Sequence, residues 1–123
     1  MKLAEFSLLM TGVLLNTGAQ VLLKSATQTT GPVALEAAGV QAFASMLLAT
    51  PAFWGAIAAY GLSIGAWVAG LSRVPLSQAY PLLSVGYVVA LLCGWGFFGE
   101  VLSLARIAGV GLIVVGVTLV AAS

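Results

Sequence analysis

Three polar side chains interrupt an apolar run near the start of the chain: Asn16, Gln20 and Lys24, in "NTGAQVLLK". They stand four residues apart, so on a helix they form one stripe. Two amides and an ammonium can hydrogen-bond hydroxyls and meet a phosphate, and none of them is an acid. Further along, Ser77, Tyr80, Ser84 and Tyr87 follow at i, i+3, i+7 and i+10, within a narrow arc of a helix. Tyr60, Ser63 and Trp67 make a similar stripe upstream. Together these side chains could line one cavity that is polar and aromatic without being charged. Such a lining suits a sugar, which needs hydrogen bonds for its hydroxyls and flat apolar faces for its C–H edges.

Each of these residues also has a plainer role open to it. Tyrosine and tryptophan are enriched where a membrane meets water. Asn16 and Gln20 could hold helices together, at about 0.6 kcal/mol per hydrogen bond in lipid. Lys24, toward the end of its apolar run, can snorkel to the interface and meet either water or a lipid phosphate there. Arg73, with its planar fork of donors, has the same two options.

The elements that position these groups must be membrane helices. The chain has 123 residues, 62% hydrophobic and 6% charged, with a mean hydropathy of +1.18. A soluble domain carries about 25% charged residues, so most of this surface must face lipid. Runs of about twenty apolar residues predict spans at roughly Leu3–Leu23, Phe53–Leu71, Leu76–Phe98 and Leu104–Ala122. None of these runs alternates as a barrel strand would. The first resembles a secretion signal in having Lys2 before it, but it is longer than an h-region and no A-x-A-like site follows, so a retained span is expected. Between the first two spans, "VALEAAGVQAFASMLLA" is weakly amphipathic. It is expected to join the second span or to lie as a helix near the interface. The expected fold is therefore an all-α membrane protein, a single domain over residues 1–123 with four transmembrane helices.

Several chemistries are poorly served. A net charge of +1 gives no footprint for nucleic acid, and no histidine with one cysteine, Cys93, makes a metal centre or a disulfide framework unexpected. No cofactor is implied. No nucleophile–base pair points to an enzyme. The three acids, Glu5, Glu36 and Glu100, all fall outside the middle of a span. Binding an organic cation or exchanging it for protons usually needs an intramembrane carboxylate.

Four thin spans leave little room for a private cavity, so a dimer is expected, either of two copies or with a similar small chain. Lys2 and Arg73 fall on one side of the membrane, Lys24 and Arg106 on the other. That balance gives the positive-inside rule nothing to act on and is compatible with an antiparallel homodimer or with chance. Gly86, Ala90 and Gly94 repeat every four residues on the third span, and Ala105, Gly109 and Gly116 share an arc of the fourth. Both read as packing ridges, and the fourth span as scaffold or dimer contact.

The stretch "LSRVPLSQAYPLLSVGYVVALLCGWGFFGE", followed by "ARIAGVGLIVVGVTLV", resembles the small EamA-like members of the drug/metabolite transporter superfamily. The overall layout is similar to the small multidrug resistance family, in which a first-span glutamate lies eight residues before a lysine. Here Asn16 lies eight residues before Lys24, so an amide stands in the acid's place. "GAQVLLKSAT" and "AYPLLS" resemble segments of the subunits that flip aminoarabinose linked to undecaprenyl phosphate, through Gln20, Lys24, Ala79, Tyr80, Pro81 and Ser84. The resemblance implies a dimeric bundle like that of the small multidrug resistance family, in a bacterial inner membrane, flipping a polyprenyl-phosphate-linked sugar. Asn16, Gln20, Trp67, Tyr80, Ser84 and Tyr87 would then line the path and Lys24 would attract the phosphate. Two other readings are an exporter of drugs or polar metabolites and an accessory subunit that stabilises a partner.

Overall fold

The computed structural model describes residues 1–123, all of them helical or in short connections. Helix α1 spans Leu3–Thr30, α2 Ala37–Leu48, α3 Pro51–Leu71, α4 Leu76–Ala79, α5 Val85–Phe97 and α6 Leu104–Ala122. A 3₁₀ segment, Tyr80–Ser84, welds α4 to α5, so that Leu76–Phe97 forms one span. Four helices are long and apolar enough to cross a membrane, and the chain is a multi-pass membrane protein.

The structure sharpens two expectations. The first helix does not stop at Leu23 but continues to Thr30, where Gly31 adopts a positive φ of 74° and its N–H caps the Thr27 carbonyl at 2.8 Å. The segment before the second span is a separate helix, α2. Pro51 at the first position of α3 disfavours helix in the residue before it, and Thr50 is extended with ψ 120°. The Thr50 hydroxyl donates to the Met46 carbonyl at 2.8 Å and the Trp54 indole N–H to the Leu48 carbonyl at 2.8 Å, which tie the two helices at the corner.

The third span changes gauge for a local reason. Pro81 has no N–H for the carbonyl of Ser77, and its ring presses against that carbonyl. The backbone answers by tightening into a 3₁₀ turn before α-helix resumes at Val85.

Helix α1 is the hub, packed along α3 and also against α2, the 3₁₀ segment and α5. Lipid tails are as apolar as leucine, so helices here are held by close packing rather than by expulsion of water. Gly12 permits that closeness. A Cβ on it would meet the Ser63 carbonyl oxygen and the Trp67 nitrogen of α3, both at 3.2 Å. On the α5 side, a Cβ on Gly86 would lie 2.6 Å from the Thr17 hydroxyl, which is pinned to the Val13 carbonyl at 2.9 Å. The largest buried cluster, Leu9, Val74, Ala79 and Leu82, sits where the start of α1 meets the α3–α4 connection. Gln78 reaches the Ala121 and Ser123 carbonyls at 3.4 Å, which brings the end of α6 to the same end of the bundle. Helix α6 has no buried residue at all and leans on the rest by one edge.

Replacing Gly12 by valine should destabilise the fold by about 1–3 kcal/mol, because the clash is with backbone that cannot rotate away. Gly61→Val, where nothing lies within 4 Å of the added Cβ, should stay within about 0.5 kcal/mol. Chemical denaturation in detergent micelles measures both. Equal effects would show that α1 and α3 do not touch as described.

Candidate functional site

The polar stripe of α1 runs along the second half of its span toward the Thr30 end. At about 1.5 Å per residue, Asn16 lies about 20 Å along the helix from Leu3 and Lys24 about 32 Å. A hydrocarbon core about 30 Å thick therefore ends near Lys24. The stripe begins at Gly12, where an added Cβ would meet the α3 backbone, so the stripe starts on the side of α1 that packs against α3.

Asn16 and Trp67 share a cavity of about 160 Å³ with Gly12, Ser63, Ile64 and Leu83. Ser63 is buried, and its hydroxyl donates back to the Tyr60 carbonyl at 2.8 Å. One turn beyond Asn16, the Gln20 amide donates to the Tyr60 hydroxyl, joining α1 to α3. One turn further, Lys24 is exposed and borders two cavities. The larger, about 630 Å³, lies between the end of α1, the Gly31–Val33 connection and Phe43 of α2. The smaller, about 210 Å³, is lined by Gln20 and Lys24 from α1, by Ala90, Cys93 and Gly94 from α5, and by Glu100.

Nothing in its sequence position marked Glu100 as a site residue, since it lies past the end of the third span. The chain turns at Gly99 with φ 65°, and the Glu100 N–H then donates to the Gly94 carbonyl at 3.0 Å. The carboxylate folds back against α5, with one oxygen 2.6 Å from where a Cβ of Gly94 would be. The small-residue ridge of the third span thus serves two ends: Gly86 admits Thr17, and Gly94 admits a carboxylate. The other acids are elsewhere: Glu5 accepts from the Lys2 N–H at 3.0 Å at the start of α1, and Glu36 precedes α2 in the open.

The single groove expected from the sequence does not form within this one chain. Asn16, Trp67, Gln20 and Lys24 line the seams around α1, but Ser84 opens on a different cavity of about 280 Å³ between α5 and α6, with Val114 and Thr118. Tyr80 and Tyr87 are 63% and 58% exposed and line none of these cavities. The cause is the Gly86 contact: adjacent helical residues point about 100° apart, so seating Gly86 on Thr17 turns Tyr87 off that seam. Arg73, at the opposite end of the bundle, is exposed beside the buried Val74.

Comparisons with known proteins bear on what such a seam handles. Residues 41–122 match the EamA-like transporter family. The chain is 40% identical over 110 residues to the probable 4-amino-4-deoxy-L-arabinose-phosphoundecaprenol flippase subunit ArnF of Enterobacter sp. (strain 638), covering 88% of this chain and 87% of that protein. The ArnF subunit of Erwinia tasmaniensis is 36% identical over the same shares. The ArnE subunit of Klebsiella pneumoniae (strain 342) is 40% identical over 73 residues, 58% of this chain and 65% of that protein. No solved structure matches the chain.

The Gln20–Tyr60 bond gives a direct check of the geometry. In a double-mutant cycle of Gln20→Ala and Tyr60→Phe, the coupling energy should be about 0.6–1.7 kcal/mol, the range for interhelical hydrogen bonds in lipid. Strict additivity would place the two side chains apart.

Proposed function

The chain belongs to the EamA-like transporter family, and from that premise we propose that it is one subunit of a flippase for a polyprenyl-phosphate-linked sugar in a bacterial inner membrane. Near-full-length likeness to ArnF subunits supports the substrate class. The observation that carries the mechanism is the position of Lys24, at the interface end of α1, where it borders two cavities that open between helices. The polyprenyl tail stays in lipid, so only the head group needs a polar path. Its phosphodiester meets the Lys24 ammonium at the membrane surface, where a charge-assisted contact costs least to form. Gln20 and, deeper, the Asn16–Trp67 cavity then offer amide hydrogen bonds and an aromatic face to the sugar.

No ionisable group lies along the path between Lys24 and Asn16 on α1, so proton-coupled cation export finds no carrier in mid-membrane. Net movement is instead drawn by consumption of the lipid on the far side.

A second small chain completes the path in this reading. The relatives carry two subunit names, ArnF and ArnE. Helix α6 has no buried residue, and Tyr80, Tyr87 and the Ser84 cavity all face outward from the protomer. A heterodimer with a similar chain would bring those aromatic and hydroxyl groups to a shared groove, as the sequence stripe suggests.

The test is head-group crossing in liposomes that hold the chain with its partner. Lys24→Ala should slow crossing about tenfold, the loss of one charge-assisted contact, and Lys24→Arg should keep most of it. Unchanged crossing in Lys24→Ala would remove the lysine from the mechanism. Substrate-dependent proton movement would favour an exporter of the multidrug type. Activity of neither chain alone, restored by mixing, would support the paired reading.

A further inference from the structure

The cavity beside Lys24 is lined by charges of both signs. Lys24 brings an ammonium from α1 and Glu100 a carboxylate from beyond α5, with Gln20 between them. They line one space of about 210 Å³ without closing on each other as an ion pair. Two opposite charges that share a cavity unpaired can each take a partner from a ligand. The volume is below the roughly 300–1,000 Å³ of sites for drug-sized molecules, so it suits a head group of one ring.

Glu100 is held there by backbone, not by chance rotation. Gly99 supplies the left-handed turn, the Glu100 N–H is bonded to the Gly94 carbonyl at 3.0 Å, and the absence of a side chain on Gly94 leaves room for the carboxylate. Of the three acids it alone reaches a cavity with a residue of the α1 stripe. We infer that Glu100 is a specificity residue that binds a protonated amine on the sugar while Lys24 binds the phosphodiester, so the cavity selects a zwitterionic head group. This rests on the flippase reading and deepens it. Both contacts are charge-assisted, so a head group that makes the two together is held better than one that makes a single one. A head group with the phosphate but no cationic amine forgoes the contact with the exposed Glu100 carboxylate, and so is disfavoured.

Two lipids with the same polyprenyl tail and phosphodiester test it, one carrying a 4-amino-4-deoxy-pentose and the other the same sugar N-acetylated. Their crossing in liposomes holding the protein and its partner chain is read with impermeant periodate, which cleaves the 2,3-diol common to both. The readout is the ratio of the two rates, which is insensitive to the fraction of protein that is active. Wild type should favour the amine about tenfold, the effect of one charge-assisted hydrogen bond, and Glu100→Gln should bring the ratio near one. Gly94→Ala, which displaces the carboxylate without removing it, should lower the ratio as well, and it serves if Glu100→Gln does not fold. Lys24→Gln should slow both lipids and leave the ratio standing. A wild-type ratio near one, or an unchanged ratio in Glu100→Gln and Gly94→Ala, overturns the role of Glu100 while the flippase reading survives. A wild-type protein that moves neither lipid overturns both.

Discussion

Helix α1 lies so close to α3 that a methyl group on Gly12 would press on the backbone of Ser63 and Trp67. In lipid this contact is the kind of force available, because apolar side chains gain little by leaving one hydrocarbon for another. It fixes the rotation of α1 about its axis. Gly12 begins the stripe that continues through Asn16, Gln20 and Lys24, so the seam that binds the helices is also the seam that carries the polar groups. Val13 and Thr17, one residue round the helix, are buried and turned toward Gly86. Packing on one side of α1 thereby holds the polar face in register on the other.

That arrangement deals with the cost of polarity in a membrane by depth. Near the middle, where an unpaired charge is most costly, α1 offers only the amide of Asn16. One N–H of the Gln20 amide is taken by the Tyr60 hydroxyl. Full charges occur only at the end of the stripe, where Lys24 and Glu100 are within reach of water. A lipid-linked sugar is amphipathic in the same sense, and a seam open to the bilayer lets its tail remain outside while its head group passes.

Most of the fold could be read from hydropathy, and less of the site. The four spans follow from run length, and Pro51 and Pro81 mark where helix is broken or tightened. The end of α1 was not legible, because "SATQTTGP" is polar and turn-like by composition, yet its hydroxyls bond back to helix carbonyls, as Thr27 does to Lys24 at 2.7 Å. Among the expected site residues, Asn16, Gln20, Lys24 and Trp67 lie on the seams of α1 because helical spacing within one element is reliable. Tyr80, Ser84 and Tyr87 share an arc of their own span, but which way that arc faces is decided by Gly86 against Thr17, a contact between distant parts of the chain. Glu100 was not legible as a site residue for the same reason. Its place depends on a reversal at Gly99 and on room beside Gly94, and a count of acids within spans cannot see either.

Mass spectrometry of the protein released from mild detergent, with lipids still bound, addresses the central claim most directly. Wild-type protein should carry a polyprenyl-phosphate glycolipid, and Lys24→Ala should lose it while keeping ordinary phospholipid. Phospholipid alone on both proteins, from cells that make the glycolipid, would contradict a head-group path beginning at Lys24.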